Sequence, residues 1–360
     1  MPAKGGAEMT TRERTYMTGK QRELLNKILV TGIAFFILLA FIMPLGYMFT
    51  TGIKSTSQMN DPNASPFWPQ SPKTIEYNGE QLEVYQVPTE DGLRELAAVK
   101  KTRTMTTFID PGNPEAGLIE WEGNWRQLDT VYYADPKWEN FKTAWDELNF
   151  PRLFRNTLII AVTGTIGAVG SSILVAYGFS RFDFRGKNAL FMVLIATIIL
   201  PMQATLIPTY IVFSRIGWIN TFLPLIVPHF FANAYNVFLL RQYFLQIPRE
   251  LDQAAMIDGA GPFRILVSVI LPQSLPAITA VSLFHFFFAW NDFFGPLIYL
   301  VSAPELWPLS VGLQRFNATY GRMPNLIQTS ALITLVLPVI IFFLAQRVFM
   351  QGIVFSGVEK

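Results

Sequence analysis

Apolar residues run along this chain in six long blocks separated by polar stretches. A bilayer core takes about 20 apolar residues per helix, so the blocks predict six transmembrane helices. They lie near Ile28–Thr50, Thr157–Phe179, Ala189–Pro208, Thr221–Leu240, Ser274–Tyr299 and Leu326–Phe349. Lys and Arg gather at the N-terminus, at Arg181, Arg185 and Lys187, at Arg241, Arg249 and Arg264, and at Arg347 and Lys360. Counted over the short connections, the intervening ones hold only Arg215 and the pair Arg315 and Arg322, so the positive-inside rule predicts both termini and the 247–264 stretch to be cytoplasmic. The connection over 51–155 is far longer than the usual few-residue link. Within it, Ile75 to Val84 alternates apolar and polar residues around Asn78-Gly79, which predicts two strands and a hairpin turn. The architecture expected is all-α and membrane-integral, with a small extracytoplasmic, β-containing insertion. The divisions are 1–27, a cytoplasmic segment; 28–50, the first span; 51–155, the insertion; 156–350, a core of five spans; and 351–360, a cytoplasmic tail. Trp121, Trp125, Tyr132, Tyr133 and Trp138 are the candidate insertion core, and Pro62 to Pro72 reads as a linker. Contact with a partner outside the membrane and simple bracing are both open roles for the insertion.

The polar stretch Ile247–Pro272 interrupts the apolar blocks. Pro248 suits the first position of a helix, and Glu250 and Asp252 place negative charge at its positive end. Gly259 and Gly261, which tolerate left-handed backbone angles, and Pro262 mark the end. Leu251, Ala254, Ala255 and Asp258 share one face, and its small alanines let another surface come close. A surface joint between two spans has the same appearance.

Composition reinforces the membrane assignment and removes several chemistries. The 360 residues are 51% hydrophobic and 15% charged, against roughly a quarter charged in soluble domains. A net charge of +2 with scattered basic residues does not suit nucleic acid. No cysteine is present, so thiol chemistry and disulfides are excluded. His229 and His285 lie far apart in sequence with no ligand spacing, so no metal site is expected. Gly19-Lys20 and Gly186-Lys187 lack the rest of a phosphate-binding loop, and no hydrolase motif appears. The basic N-terminus precedes an apolar run too long for a signal peptide, which is expected to stay as an anchor.

Polar residues inside apolar blocks are candidates for a solute passage, because such groups at membrane depth usually face a cavity or a partner. Tyr235 and Asn236, with Asn233, lie in the fourth block, and His285, Phe288, Asn291 and Asp292 in the fifth. His285, Phe288 and Asp292 are spaced for one helical face, although Asp292 also suits a hydrated position at the span's outer end. Gly164, Gly167 and Gly170 in the second block form a small-residue surface for close helix approach. Prolines 201, 208, 224 and 228 free backbone groups that need partners in lipid. Asn63-Ala64-Ser65 and Asn317-Ala318-Thr319 match the glycosylation sequon by pattern alone.

Gln253-Ala254-Ala255, Asp258-Gly259-Ala260 and then Val269, Leu271 and Pro272 resemble the E-A-A-x-x-x-G, nine residues, I-x-L-P loop of ABC-importer permeases. Gln253 stands where that family carries Glu, and Val269 where it carries Ile. Ala176 to Arg181, Phe184-Arg185-Gly186, Gly217-Trp218-Ile219-Asn220-Thr221 and Trp290-Asn291-Asp292 also resemble the maltose-type carbohydrate permeases. The resemblance covers roughly Trp138 to Lys360. It implies a sugar-importing permease subunit, not itself an enzyme, in a bacterial-type inner membrane. It also implies a second, different permease, two ATPase copies holding ATP and Mg, and an extracytoplasmic sugar-binding protein as partners. Pro248, Glu250, Gln253, Ala254, Ala255, Asp258, Gly259, Ala260 and Pro272 would then couple the chain to the ATPase. The loop with Glu305, Trp307, Gln314, Arg315 and Asn317 would face the binding protein, and the C-terminal tail would reach the ATPase. Glycerol phosphate import is a rival within the fold, against which the spans hold hardly any basic groups. A structural subunit without transport is a rival outside it.

Overall fold

The computed structural model describes residues 19–61, 64–89, 92–318 and 323–354. The basic residues before Gly19, Asn63, Thr319, Arg322 and the last six residues of the tail lie outside these. Helix α1 (Gly19–Gly52) is continuous, and its apolar window buries nothing within the chain. At its end, α2 (Thr56–Asn60) leads into the insertion.

The insertion is a β structure. Strands β1 (Gln70–Pro72), β2 (Thr74–Tyr77), β3 (Glu80–Thr89), β4 (Gly92–Lys101), β5 (Met105–Ile109), β6 (Leu118–Glu122), β7 (Asp129–Thr130) and β8 (Tyr132–Ala134) are all antiparallel. β2 to β6 form a meander, β7 shares the β2 edge of β3, and β1 pairs with β8. Asn78 and Gly79 both have positive φ, as a two-residue hairpin with the native twist requires. Tyr85, Leu96 and Phe108 are buried on one face of the meander with Trp121 and Trp125 packed against them, while Val84, Ala97 and Ile109 are buried on the other. Two of the expected core aromatics sit elsewhere. Tyr133 is exposed, and Trp138 stacks on Phe141 beside Phe49 of α1.

The expected linker is pinned rather than free. The Gln58 amide donates to Ser65 O and Trp68 O and accepts from Gln70 N, and Lys54 Nζ donates to Pro66 O at 2.6 Å. Helix α3 (Glu139–Glu147) returns the chain to the bundle, with Asn140 Nδ2 donating to Gly52 O and Lys54 O, both at 2.8 Å. These bonds occupy carbonyls that the end of α1 would otherwise leave unpaired.

The longest buried element is α4 (Phe150–Arg181), the spine of the bundle. α5 (Lys187–Ala196) and α6 (Met202–Arg215) follow, and their extended halves meet at 98° around Pro201, the N-cap of α6. The turn 217–221 places Gly217 and Asn220 at positive φ, and Asn220 Oδ1 accepts from Ser302 N. α7 (Leu223–Ile226) and α8 (Ala234–Gln246) are halves of one span, broken at Val227–Phe230 where Pro228 interrupts regular bonding. Ser172 Oγ accepts the freed N–H of Asn233, which itself caps α8. α9 (Arg249–Ile257) is followed by α10 (Pro262–Ile265), a π turn over Leu266–Ile270, α11 (Leu271–Gln273) and α12 (Leu275–Trp290), with an 82° corner between Gln273 and Leu275. α13 (Phe294–Tyr299), α14 (Leu309–Gly312), α15 (Arg315–Ala318) and α16 (Pro324–Val354) complete the chain. Among the described residues four helices are long and apolar enough to cross a membrane, or six if each bent pair is one span.

Two apolar cores lie along α4. Near its start, Leu148, Leu153, Phe286, Trp290, Leu309, Phe316 and Leu326 are buried together, and near its end Tyr177, Leu240, Phe244, Ile265, Ile270 and Val281. The small residues of α4 serve rings rather than a helix backbone. A Cβ at Gly164 would meet His229 at 3.1 Å and one at Gly167 would meet Phe230 at 2.6 Å, whereas at Gly170 it would meet nothing.

Candidate functional site

Helix α9 starts after Pro248, which caps the helix from outside rather than filling its first turn. It ends in a Schellman closure, with Ala260 N donating to Ala255 O at 2.9 Å and Gly259 N to Met256 O at 3.0 Å. Gly259 takes φ 79°, as that closure demands, whereas Gly261 at φ −75° caps α10 without using left-handed angles. Pro272 lies in α11, before the corner. Glu250, Gln253, Ala254 and Asp258 are exposed, and Ala255 and Ala260 pack partly against the apolar core below.

The burial of α9 inverts the pattern of a surface helix. Ile257 is 87% exposed and Met256 59%, while Asp252 is the buried side chain of the helix. Asp252 Oδ2 lies 2.9 Å from Arg181 Nε at the end of α4, and both side chains are over nine-tenths buried. Arg181 also donates to Ile247 O at 3.0 Å, and Tyr177 OH donates to Pro262 O at 2.9 Å. One end of α4 therefore grips both flanks of α9. By sequence Asp252 is only a charge for the helix dipole; the signal for its burial is an arginine ending one span and an acid in a short helix later in the chain.

A second polar assembly lies inside the bundle. His285 Nε2 is 3.1 Å from His229 Nδ1, and His285 Nδ1 is 3.4 Å from Asn236 Nδ2. The histidines, unrelated by sequence spacing, thus meet across the break in the fourth span. Hydrogen-bonded side chains are how a helix bundle accommodates polar groups away from water. His285→Leu is expected to remove the partner of His229 Nδ1 and of the Asn236 amide nitrogen and to cost about 1–3 kcal/mol, read as a lowered unfolding temperature in detergent.

The expected face of His285, Phe288 and Asp292 does not form, because α12 ends at Trp290. Asp292 lies beyond it and accepts from Gly295 N at 3.2 Å, capping the next helix. Phe288 and Tyr235 are exposed on the surface of this single chain. Asn291 is exposed, its amide donating to Phe287 O, and it lines a cavity of about 280 Å³ with Trp290, Ser310, Leu313, Thr334 and Pro338. No ionisable side chain lines this cavity. Ser310 and Thr334 carry no signal in the sequence for this cavity, since they come from helices distant in the chain from Asn291. In the 304–323 loop, Trp307 is partly buried with its indole N–H donating to Leu300 O, Gln314 is exposed and accepts from Asn317, and Arg315 is half-buried.

Residues 168–354 match the model of the binding-protein-dependent transport system inner membrane component family, and the chain belongs to that family. It is 28% identical over 280 residues to the osmoprotective compounds uptake permease protein of Synechocystis, spanning 76% of this chain and 93% of the relative. It is 33% identical over 209 residues to an sn-glycerol-3-phosphate transport system permease protein of Rhizobium meliloti, spanning 58% and 73%. The alpha-glucoside transport system permease protein of the same organism is 29% identical over 227 residues, spanning 61% and 60%. Among solved structures, a chain of a bacterial ABC transporter that imports the acidic polysaccharide alginate aligns with TM-score 0.50 at 16% identity, covering 59% of this chain and 83% of that one. That likeness is one of fold. The chain is an ABC-transporter permease, a transmembrane subunit of an import system.

Proposed function

We propose that this chain is a six-span permease half of an ATP-driven importer for a neutral, polyhydroxylated solute of the sugar class. The observation that carries the reading is α9, which buries a charge against α4 and presents Leu251, Met256 and Ile257 outward. Exposed apolar side chains backed by a rigid support suit docking against another protein. In this reading α9 seats on one of two ATPase subunits, which hold ATP and Mg, and the termini lie on the same cytoplasmic side. A second, different permease covers the remaining bundle surface, including Tyr235 and Phe288. The outer loop with Trp307, Gln314 and Arg315 meets an extracytoplasmic binding protein. ATP shifts the assembly between inward- and outward-open states only through its preference for one of them, and the Arg181–Asp252 contact transmits the movement of α9 to α4.

The solute class rests on the cavity at Asn291, where an aromatic ring, an amide and two hydroxyls come without a cation. Relatives named for glycerol phosphate keep an anionic solute in view, but an anion inside the bundle would need a charge partner. Uptake by the reconstituted complex of a neutral disaccharide over glycerol phosphate is the expected result, and the reverse order would reject the sugar assignment. Gly259→Pro tests coupling. Proline holds φ near about −65° and has no N–H, so the Schellman closure is lost. The expected outcome is a folded complex whose ATP hydrolysis no longer drives uptake. Gly261→Ala, at an ordinary φ with open space around it, is expected to transport normally. Normal uptake by Gly259→Pro would reject the coupling role.

A further inference from the structure

The insertion contains a cavity of about 420 Å³ that transport through the helices does not use. It opens where α2 and β1 face β3, β7 and β8, and it stands on the end of α1, since Lys54 and Gln58 anchor this corner. Tyr85, Trp125 and Tyr132 line it with the carboxylates of Asp61 and Glu83 and the guanidinium of Arg126.

Each carboxylate is held by a phenol. Tyr85 OH donates to Glu83 Oε2 at 2.6 Å, and Tyr132 OH donates to Asp61 Oδ2. Lys101 Nζ donates to Glu83 Oε2 at 2.6 Å and to Tyr85 OH at 2.9 Å, and lies 4.8 Å from the centre of the Trp125 ring. Arg126 approaches the same ring at 5.3 Å. Burial raises both phenols above their ordinary range, and the adjoining carboxylates raise them further, so both remain donors. Burial by itself would raise Glu83, but the bonds from Lys101 and Tyr85 outweigh it and keep its carboxyl below the ordinary range.

The result is a set of oriented donors and acceptors whose charges cancel, Asp61 and Glu83 against Lys101 and Arg126. A carboxylate has about four lone-pair sites, so Glu83 retains acceptor capacity beyond the bonds from Tyr85 and Lys101. An anion entering would face the carboxylates and a cation would face Arg126, while Lys101 neutralises Glu83 from behind the lining. A neutral polyol meets neither penalty, since each hydroxyl both donates and accepts, and its carbon face suits the aromatic walls. The volume falls within the range of about 300–1,000 Å³ typical of small-molecule sites.

We propose that this cavity is a binding site for a neutral mono- or disaccharide, held in the insertion beside the end of the bundle and separate from the passage between the helices. It does not require the imported solute to be a sugar.

The test uses the full chain in its complex, in lipid nanodiscs without the external binding protein, titrated calorimetrically with glucose, maltose, sucrose and trehalose. Galacturonate and glucosamine serve as acidic and basic probes. Saturable binding of at least one neutral sugar is expected, weakened about tenfold or more, some 1.4 kcal/mol, by Glu83→Gln and by Arg126→Ala. Arg126 is exposed, so its loss does not threaten the fold. Glu120→Gln, exposed on β6 and outside the lining of this cavity, should leave the binding unchanged. Absence of binding by all four neutral sugars, binding of only a charged probe, or affinity unaltered in both insertion variants would each overturn the proposal. Because no ATP or uptake enters the assay, its failure is distinct from failure of the importer reading.

Discussion

Asp252→Ala is expected to destabilise the chain by about 3–5 kcal/mol, because it leaves the Arg181 guanidinium buried without its counter-charge. The effect is large for a reason specific to burial: an exposed pair at this distance contributes about 0–1 kcal/mol. Arg181 would keep only its bond to Ile247 O among the polar contacts described for it at this corner. The seat of α9 against α4 would loosen, and uptake should fall with stability. Replacing the pair by Arg181→Met with Asp252→Leu should restore stability, since buried pairs exchanged for apolar side chains are often neutral or more stable. A double-mutant cycle on the unfolding temperature, with uptake followed in parallel, measures the coupling. An unfolding temperature unchanged by Asp252→Ala would show that the pair does not hold α9. Stability regained without uptake would show that the charge itself serves coupling.

Gly167→Leu is expected to destabilise the chain as well, by a smaller amount. A Cβ there already stands 2.6 Å from the Phe230 ring, so the ring must shift to admit a larger side chain. Overpacking of this kind costs about 1–3 kcal/mol, occasionally more. The displaced ring belongs to the short turn that also carries His229, so the contact between His229 and His285 should be lost with it. Gly170→Ala, one helical turn further on, meets nothing within 4 Å and should be silent. Parallel thermal scans of the two variants in detergent separate a requirement for close packing from a general need for glycine in α4. Equal stability of the two variants would contradict the packing account.

Much of the local structure was legible before any coordinates. The Asn78-Gly79 hairpin was readable because only a few residues accept two successive positive φ angles, and the end of α9 because Gly259 is followed by Gly261 and Pro262. The long apolar blocks emerged as helices for the same local reason, that a backbone in lipid must satisfy its own hydrogen bonds. What misled was orientation. Hydropathy places an aspartate outward and an isoleucine inward, yet α9 does the reverse, since Arg181 waits beneath Asp252 while the outer face is left apolar. The fifth apolar block, Ser274–Tyr299, holds two helices, because hydropathy continues across the break between Trp290 and Phe294.

The chain's own order of residues thus determined which segments are helical, where the β insertion interrupts them, and how the family's loop begins and closes. These are short-range properties, set by backbone sterics and by solvation of each segment in turn. Tertiary structure alone decided that His229 meets His285 and that Arg181 neutralises Asp252. It also decided that Asp61, Glu83, Trp125 and Tyr132 share one cavity. Such pairings depend on how helices and strands far apart in the chain come to rest against one another, and no local spacing encodes that distance.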